Sequence, residues 1–312
     1  MKRKVIQIAD STQLISLPRK WCIENNIKKG AELNVEAQGQ KITVSCSPET
    51  IIERAEIRLK DYGLLAPRMI YALYKKGADE VKIHFDSPED IQIVQNALRN
   101  ETVGYEVVEQ DSKSCLIKNV SGHIEGFDNM LRRTFLLLVT MAEECNTALK
   151  NKDPTSLKNL LILEESNNRF TTLCRRYLNK YGAPEGQKPG PLYRILEELE
   201  NIADEYKYLF KALSTTKKDD FKVDKKIIDV FETVHKMIRE FYESFYKMDA
   251  QRIASIGTMR KQLVQDWHSY IPKIKNYSDF ILMHHGMVIA QKLFNIIGAY
   301  FVLSVPTTLQ SN

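Results

Sequence analysis

Leu192-Tyr193-Arg194-Ile195-Leu196-Glu197-Glu198-Leu199-Glu200-Asn201-Ile202-Ala203-Asp204-Glu205-Tyr206-Lys207-Tyr208-Leu209-Phe210-Lys211-Ala212-Leu213 is the stretch that decides the fold class. Apolar side chains recur at 192, 195, 196, 199, 202, 203, 206, 209 and 213. Steps of three and four place them on one stripe of a helix, so the spacing predicts a buried amphipathic helix here. Working outward, the same period appears at Phe127, Met130, Leu131, Phe135, Leu138, Met141, Ala142 and Cys145, which predicts a helix over 126–150. Asp153-Pro154-Thr155 breaks the pattern, and a second helix is expected over 156–180. A Gly/Pro-rich loop covers 182–191, and a polar break covers 214–220. Three further helices are expected at 223–247, 250–270 and 278–303. Equal helix counts and matching lengths on either side of the break suggest a duplicated three-helix unit.

Toward the N-terminus the period changes. Residues 50–120 read as a small α/β segment. A helix over 62–76, interrupted near Pro67, ends at Gly77. A strand follows at 80–85, and Ser87 caps a helix that runs to Asn100. Two more strands, at 104–109 and 114–120, flank a turn at 111–113. Residues 4–46 read as short strands around one short helix at 19–26, with a turn at Lys29-Gly30 and a closing hairpin around Gln38-Gly39-Gln40. About forty residues of this kind make a poor independent core, so this unit is expected to dimerise. The fold expected is therefore multidomain: a small all-β N-terminal domain (1–48), an α/β connector (49–123), and an all-α body of two three-helix repeats (124–216 and 217–312).

Composition narrows the function classes. With 43% hydrophobic and 27% charged residues the chain is globular rather than disordered. No apolar run approaches the ~20 residues of a membrane span, so no membrane insertion is expected. Met1-Lys2-Arg3-Lys4 is basic, but no signal-like apolar core follows it. The five cysteines are scattered and never spaced CxxC, which argues for a reducing cytoplasm. There is no Gly-rich phosphate loop, GxSxG or HExxH, so no enzyme activity is expected.

The net charge is +5, from 45 basic and 40 acidic residues. Four of those five net charges lie in residues 1–48, which hold eight basic and four acidic residues. Within this head stand Val5-Ile6-Gln7-Ile8, then Ser11-Thr12-Gln13-Leu14-Ile15-Ser16-Leu17-Pro18-Arg19-Lys20-Trp21, Ile27-Lys28-Lys29-Gly30 and Leu33-Asn34-Val35. Over about 45 residues this closely resembles the AbrB/SpoVT (MazE-like) swapped-hairpin family in its archaeal form. The resemblance implies an intertwined dimer that lays hairpins and basic residues against DNA. The candidate DNA contacts are Arg3, Lys4, Arg19, Lys20, Lys28, Lys29 and Lys41, whose charges suit phosphates. The family usually carries Gly-Gly before the Ser-Thr, whereas Ala9-Asp10 stands here. A β-carbon and a negative charge at that place both oppose close approach to phosphate.

The body carries Leu199-Glu200-Asn201-Ile202-Ala203-Asp204, Leu163-Glu164-Glu165-Ser166-Asn167-Asn168-Arg169-Phe170, and Arg132-Arg133 after Met130-Leu131. These strings resemble the PhoU family of phosphate-uptake regulators. The resemblance implies iron or another divalent metal held by Glu200 and Asp204, with Glu165 from the preceding helix as a third carboxylate. Carboxylates four apart do share a helix face, although such a pair is also what a solvated face carries. The corresponding region of the last helix has Met287, Gln291 and Asn295, none acidic, and Tyr208 stands where an Asn is expected in the first repeat. His284 and His285, being adjacent, point about 100° apart on a helix and do not readily share one ion. The reading that results is a cytoplasmic, homodimeric, DNA-binding regulator that represses phosphate uptake. The rival is an adaptor whose head only dimerises and whose body contacts the phosphate ABC transporter or its signalling proteins.

Overall fold

The computed structural model describes residues 1–8, 12–38, 41–46, 52–122, 126–184 and 187–305. The chain divides into two compact units, Met1–Glu53 and Arg54–Asn312. Helix accounts for 66% of the described residues, with a small strand region at the N-terminus and a helical body toward the C-terminus.

In the first unit β1 (Ile6–Ile8) pairs antiparallel with β2 (Thr12–Leu14), and Ile6 sits opposite Leu14. Helix α1 (Arg19–Glu24) follows Pro18, whose backbone is already extended at φ −63° and so enters the helix at little cost. Strands β3 (Asn34–Gln38) and β4 (Lys41–Ser45) form a second antiparallel ladder, with Val35 opposite Val44 and Ala37 opposite Ile42. The turn before β3 needs Gly30, which sits at φ +86°. Ala9 and Asp10 lie outside the described residues.

The second unit opens with a four-stranded sheet in the order β5-β6-β8-β7, formed by Arg54–Arg58, Glu80–His84, Ser114–Asn119 and Tyr105–Gln110 respectively. Strand β5 runs parallel to β6 through the crossover helix α2 (Ala66–Lys76), and the other pairs are antiparallel. Alternation buries Ile57, Val81, Ile83, Cys115 and Ile117 on one face, beneath α2 and α3 (Ile91–Glu101). The opposite face is polar and carries Arg54, Glu80 and Lys118 as linked ion pairs.

Two details differ from the sequence reading. Pro67 opens α2 rather than interrupting a longer helix, because its missing N–H falls in the first turn, where no intrahelical partner exists. Residues 59–61 and 63–65 form separate 3-10 turns before it. Strand β5 was not expected at all, since three of its five residues are charged and the parallel partner is remote in sequence.

The body contains α4 (Phe127–Lys150), α6 (Leu161–Tyr181) and α7 (Pro189–Leu213), then α8 (Lys225–Tyr246), α9 (Ala250–Tyr270) and α10 (Tyr277–Ser304). Asp153-Pro154 does not end in a loop. Asp153 caps a short helix α5 (Pro154–Asn159), and the long helix starts after it at Leu161. All nine apolar positions counted on the 192–213 stripe are buried. Helix α7 packs along α10, and these two form the centre of the bundle. Helices α4 and α6 pack with α7, and α8 and α9 pack with α10, while α4 also meets α8.

Helix α10 departs from the expectation that no segment has the length and composition of a span. It is 28 residues long, and 39% of its most apolar 18-residue window is buried. Uncharged polar residues such as His284, His285 and Gln291 interrupt its apolar run without adding charge, so no single run signals it. In the fold, Leu282, Ile289, Leu293 and Ile296 are core residues against the neighbouring helices.

Candidate functional site

Among the described residues of the first unit, no side chain is buried. Val5, Ile6, Ile8, Leu14, Ile15, Ile23, Val35 and Ile42 are all between 45% and 69% exposed. Each would gain about 1.5–3 kcal/mol on full burial.

The basic residues stand on the same unit. Arg3, Lys4, Arg19, Lys20, Lys28 and Lys29 are exposed. Arg19 and Lys20 occupy the first turn of α1, and Lys28 and Lys29 lie in the turn closed by Ala31 N donating to the Lys28 carbonyl at 3.0 Å. Lys20 reaches Glu24 at 3.7 Å, a solvated pair worth a few tenths of a kcal/mol at most. Lys41 is in β4, and its side chain lies outside the described residues.

The acidic candidates of the body fall on two helices. Glu200 of α7 is bound by the buried Arg175 guanidinium of α6 and accepts from Thr171 Oγ1 at 3.3 Å. Asp204, one turn on, is paired with Lys207. Lys207 Nζ also reaches Glu164 Oε1 at 2.7 Å, and Asn168 Nδ2 donates to the same oxygen at 2.6 Å. Glu165 is exposed, and it is Glu164 that faces α7. The three expected carboxylates therefore do not converge. Asp204 shares Lys207 with Glu164, and Glu200 is held separately by Arg175.

Burial opposes the Lys207 charge, but its bonds to Asp204 and Glu164 outweigh this and raise its pKa. Burial holds the Glu164 carboxyl above the usual carboxylate range, Lys207 opposes that shift, and Asp204 beside it adds repulsion. One ammonium shared by two carboxylates accounts for both directions. This constellation does not fit a metal centre as it stands: Lys207 occupies the cationic role between Glu164 and Asp204, and Arg175 occupies it on Glu200. Among the described residues no group of three or more His, Cys, Asp or Glu side chains is placed to hold a metal.

In the last helix Gln291 Oε1 accepts from Arg260 of α9, with Nη2 at 2.5 Å, and its amide donates to Asn295 at 2.9 Å. His284 and His285 diverge: His284 is exposed, whereas His285 is buried with Nδ1 2.8 Å from Glu205.

The network rests on a feature not singled out from the sequence. Glu164, Asn167, Asn168, Thr171, Thr172, Arg175 and Arg176 are all at most 8% exposed. They recur at helical spacing, so a polar stripe on α6 beside its apolar one was the available signal. Arg176 is the clearest omission. Its guanidinium donates to the Tyr74 and Ala78 carbonyls at 2.9 and 2.7 Å and to Asp79 at 2.9 Å. Compared with models of protein families, with curated proteins and with solved structures, the chain matches none.

Proposed function

We propose that this chain is a homodimeric DNA-binding regulator of phosphate uptake, working in the cytoplasm as a repressor. Its first unit would pair with that of a second copy and set the basic residues of both against DNA. The observation that carries this reading is the first unit itself, in which ten large apolar side chains and six basic ones are exposed. A second copy offers matching apolar strands and doubles the positive surface. Phosphate contacts supply affinity with limited sequence content, so specificity would come from hairpin geometry or base contacts.

The link to phosphate rests on the likeness of Leu199–Asp204 and of residues 163–170 to phosphate-uptake regulators, with the body read as two three-helix repeats. A body that transmits phosphate status must have two packings with different affinity for its effector or partner. Because Lys207 and Arg175 already neutralise the acidic cluster, a metal has no part in this proposal.

The test is an electrophoretic shift on upstream and random DNA across a salt series. Replacing Arg19, Lys20, Lys28 and Lys29 together by Ala should weaken binding by about a hundredfold or more at moderate salt and flatten the salt slope. The dimer should persist in sedimentation. If DNA affinity is unchanged while the dimer persists, the head only dimerises and the protein acts as an adaptor through its body.

A further inference from the structure

At one end of the helical body lies a cleft of about 700 Å³ lined by Lys152, Lys222, Lys273 and Lys275, with Asp224 and Asp279 on its wall. The lysines come from three separate segments: the link after α4, the segment before α8, and the link between α9 and α10. All four are exposed, and none has an ion-pair partner among the described residues. The two aspartates offset half of this charge and form no ion pair with these lysines. Asp224 Oδ1 accepts from Lys226 N at 2.8 Å. Asp279 Oδ1 accepts from Asp224 N at 3.0 Å, and its Oδ2 accepts from Asn276 Nδ2 at 2.7 Å. Both carboxylates are thus tied into the chain that shapes the cleft.

Two other clefts on the body are closer to balance. One sets Lys226 against Asp229 and Asp266. The other sets Arg132, Lys247 and Arg252 against Glu243 and Asp249, with Arg252 paired to Glu240, Glu243 and Asp249. Of these three clefts the lysine cleft has the most positive lining, four lysines against two aspartates.

Lys152 adds an independent sign. It follows α4 in the left-handed region at φ +50°, where glycine or asparagine is the usual residue. A lysine there is strained, because its β-carbon crowds the backbone in that conformation. Gly would relieve that strain but would remove the charge from the cleft.

We propose that this cleft binds a small ligand carrying several adjacent phosphate groups, of the inorganic triphosphate or nucleoside triphosphate class. Its volume lies within the range of small-molecule sites. Cations on three walls are best satisfied by a ligand with several anionic groups, since a single orthophosphate cannot reach all of them. The site is separate from the DNA reading, which concerns residues 1–53 only.

Titration calorimetry on the full chain with sodium triphosphate tests the assignment, with orthophosphate and sulfate as controls. Saturable triphosphate binding is expected, at least about tenfold tighter than orthophosphate and weakened by added salt. The Lys222→Ala/Lys273→Ala variant should lose about tenfold or more in affinity, and Arg at both positions should restore most of it. Lys152→Gly should bind more weakly while its thermal midpoint holds or rises, which separates ligand contact from structural support. Replacing Arg19, Lys20, Lys28 and Lys29 by Ala should leave triphosphate binding intact. The proposal is overturned by any of three results: triphosphate binding no tighter than orthophosphate, unchanged affinity when all four cleft lysines are Ala, or lysine-dependent sedimentation with phosphatidylglycerol vesicles without binding of soluble triphosphate.

Discussion

Glu101 shows how a single carboxylate can work against the fold that holds it. It is the last residue of α3, where the helix dipole already disfavours negative charge. Burial holds its carboxyl above the ordinary range, and the nearby Lys75 and Arg175 charges do not fully offset this. Asp204 adds repulsion, and Lys207 adds attraction. A carboxyl with a raised folded pKa binds its proton more tightly in the folded state. Its ionised form therefore costs stability at neutral pH, and the cost fades as pH falls through the folded pKa toward 4.5. Glu101→Gln should be more stable than the parent at pH 7, with the difference vanishing near pH 4.5. Urea unfolding midpoints at the two pH values check this, and an equal difference at both would refute it. Glu164 and Glu165 make a related point about legibility. Either acid fits the sequence pattern, and a rotation of about 100° decides which one meets Lys207.

At the scale of elements, the end of α2 is completed by α6. Gly77 takes the left-handed C-terminal position at φ +112°, and a β-carbon there would crowd Lys180 Cβ at 3.3 Å. Side chains of α6 bind carbonyls at and just beyond the end of α2: Arg176 those of Tyr74 and Ala78, and Asn179 that of Lys75 at 2.8 Å. Arg176 also lies over the Tyr74 and Tyr105 rings, and Asp79 accepts from both Arg176 and Lys180. One buried arginine therefore joins the α/β segment to the bundle. Arg176→Met should cost about 2–4 kcal/mol, because it removes three charge-assisted hydrogen bonds from acceptors that keep one partner each: Gly77 N on Tyr74 O, Tyr105 Oη on Ala78 O, and Lys180 on Asp79. Guanidinium unfolding would measure the loss, and a cost below ~1 kcal/mol would mean that the contacts are peripheral. The helices were legible because long apolar stripes repeat at 3.6 residues, as at Leu192, Leu199 and Tyr206. Strand β5 was not, because Arg54-Ala55-Glu56-Ile57-Arg58 has only two apolar residues and becomes a strand by pairing with Glu80–His84.

At the scale of the molecule, the two units differ in how they are held. Residues 54–312 contain every buried apolar side chain among the described residues, from Ile57 to Tyr300. Residues 1–53 contain none. The larger unit produced alone should keep a cooperative unfolding transition whose midpoint does not depend on concentration. The first unit alone should have a midpoint that rises with concentration, since its core would form only between copies. Circular dichroism melts over a hundredfold dilution would distinguish the two behaviours. A concentration-independent melt of the small unit would remove the main support for its pairing.

The sequence by itself determined the course of the long helices, the stop of α2 at Gly77, and that the positive charge gathers in the first fifty residues. These are local properties, carried by the spacing of apolar residues and by Gly and Pro at turns. Only the tertiary structure decided which charges meet. Lys207 reaches Glu164 across 43 residues, and Arg176 reaches Ala78 across 98. Periodicity says which face of a helix is buried but not which neighbour covers it. For that reason a carboxylate pattern that suggested a metal became a set of internal ion pairs, and lysines far apart in sequence came to line one cleft.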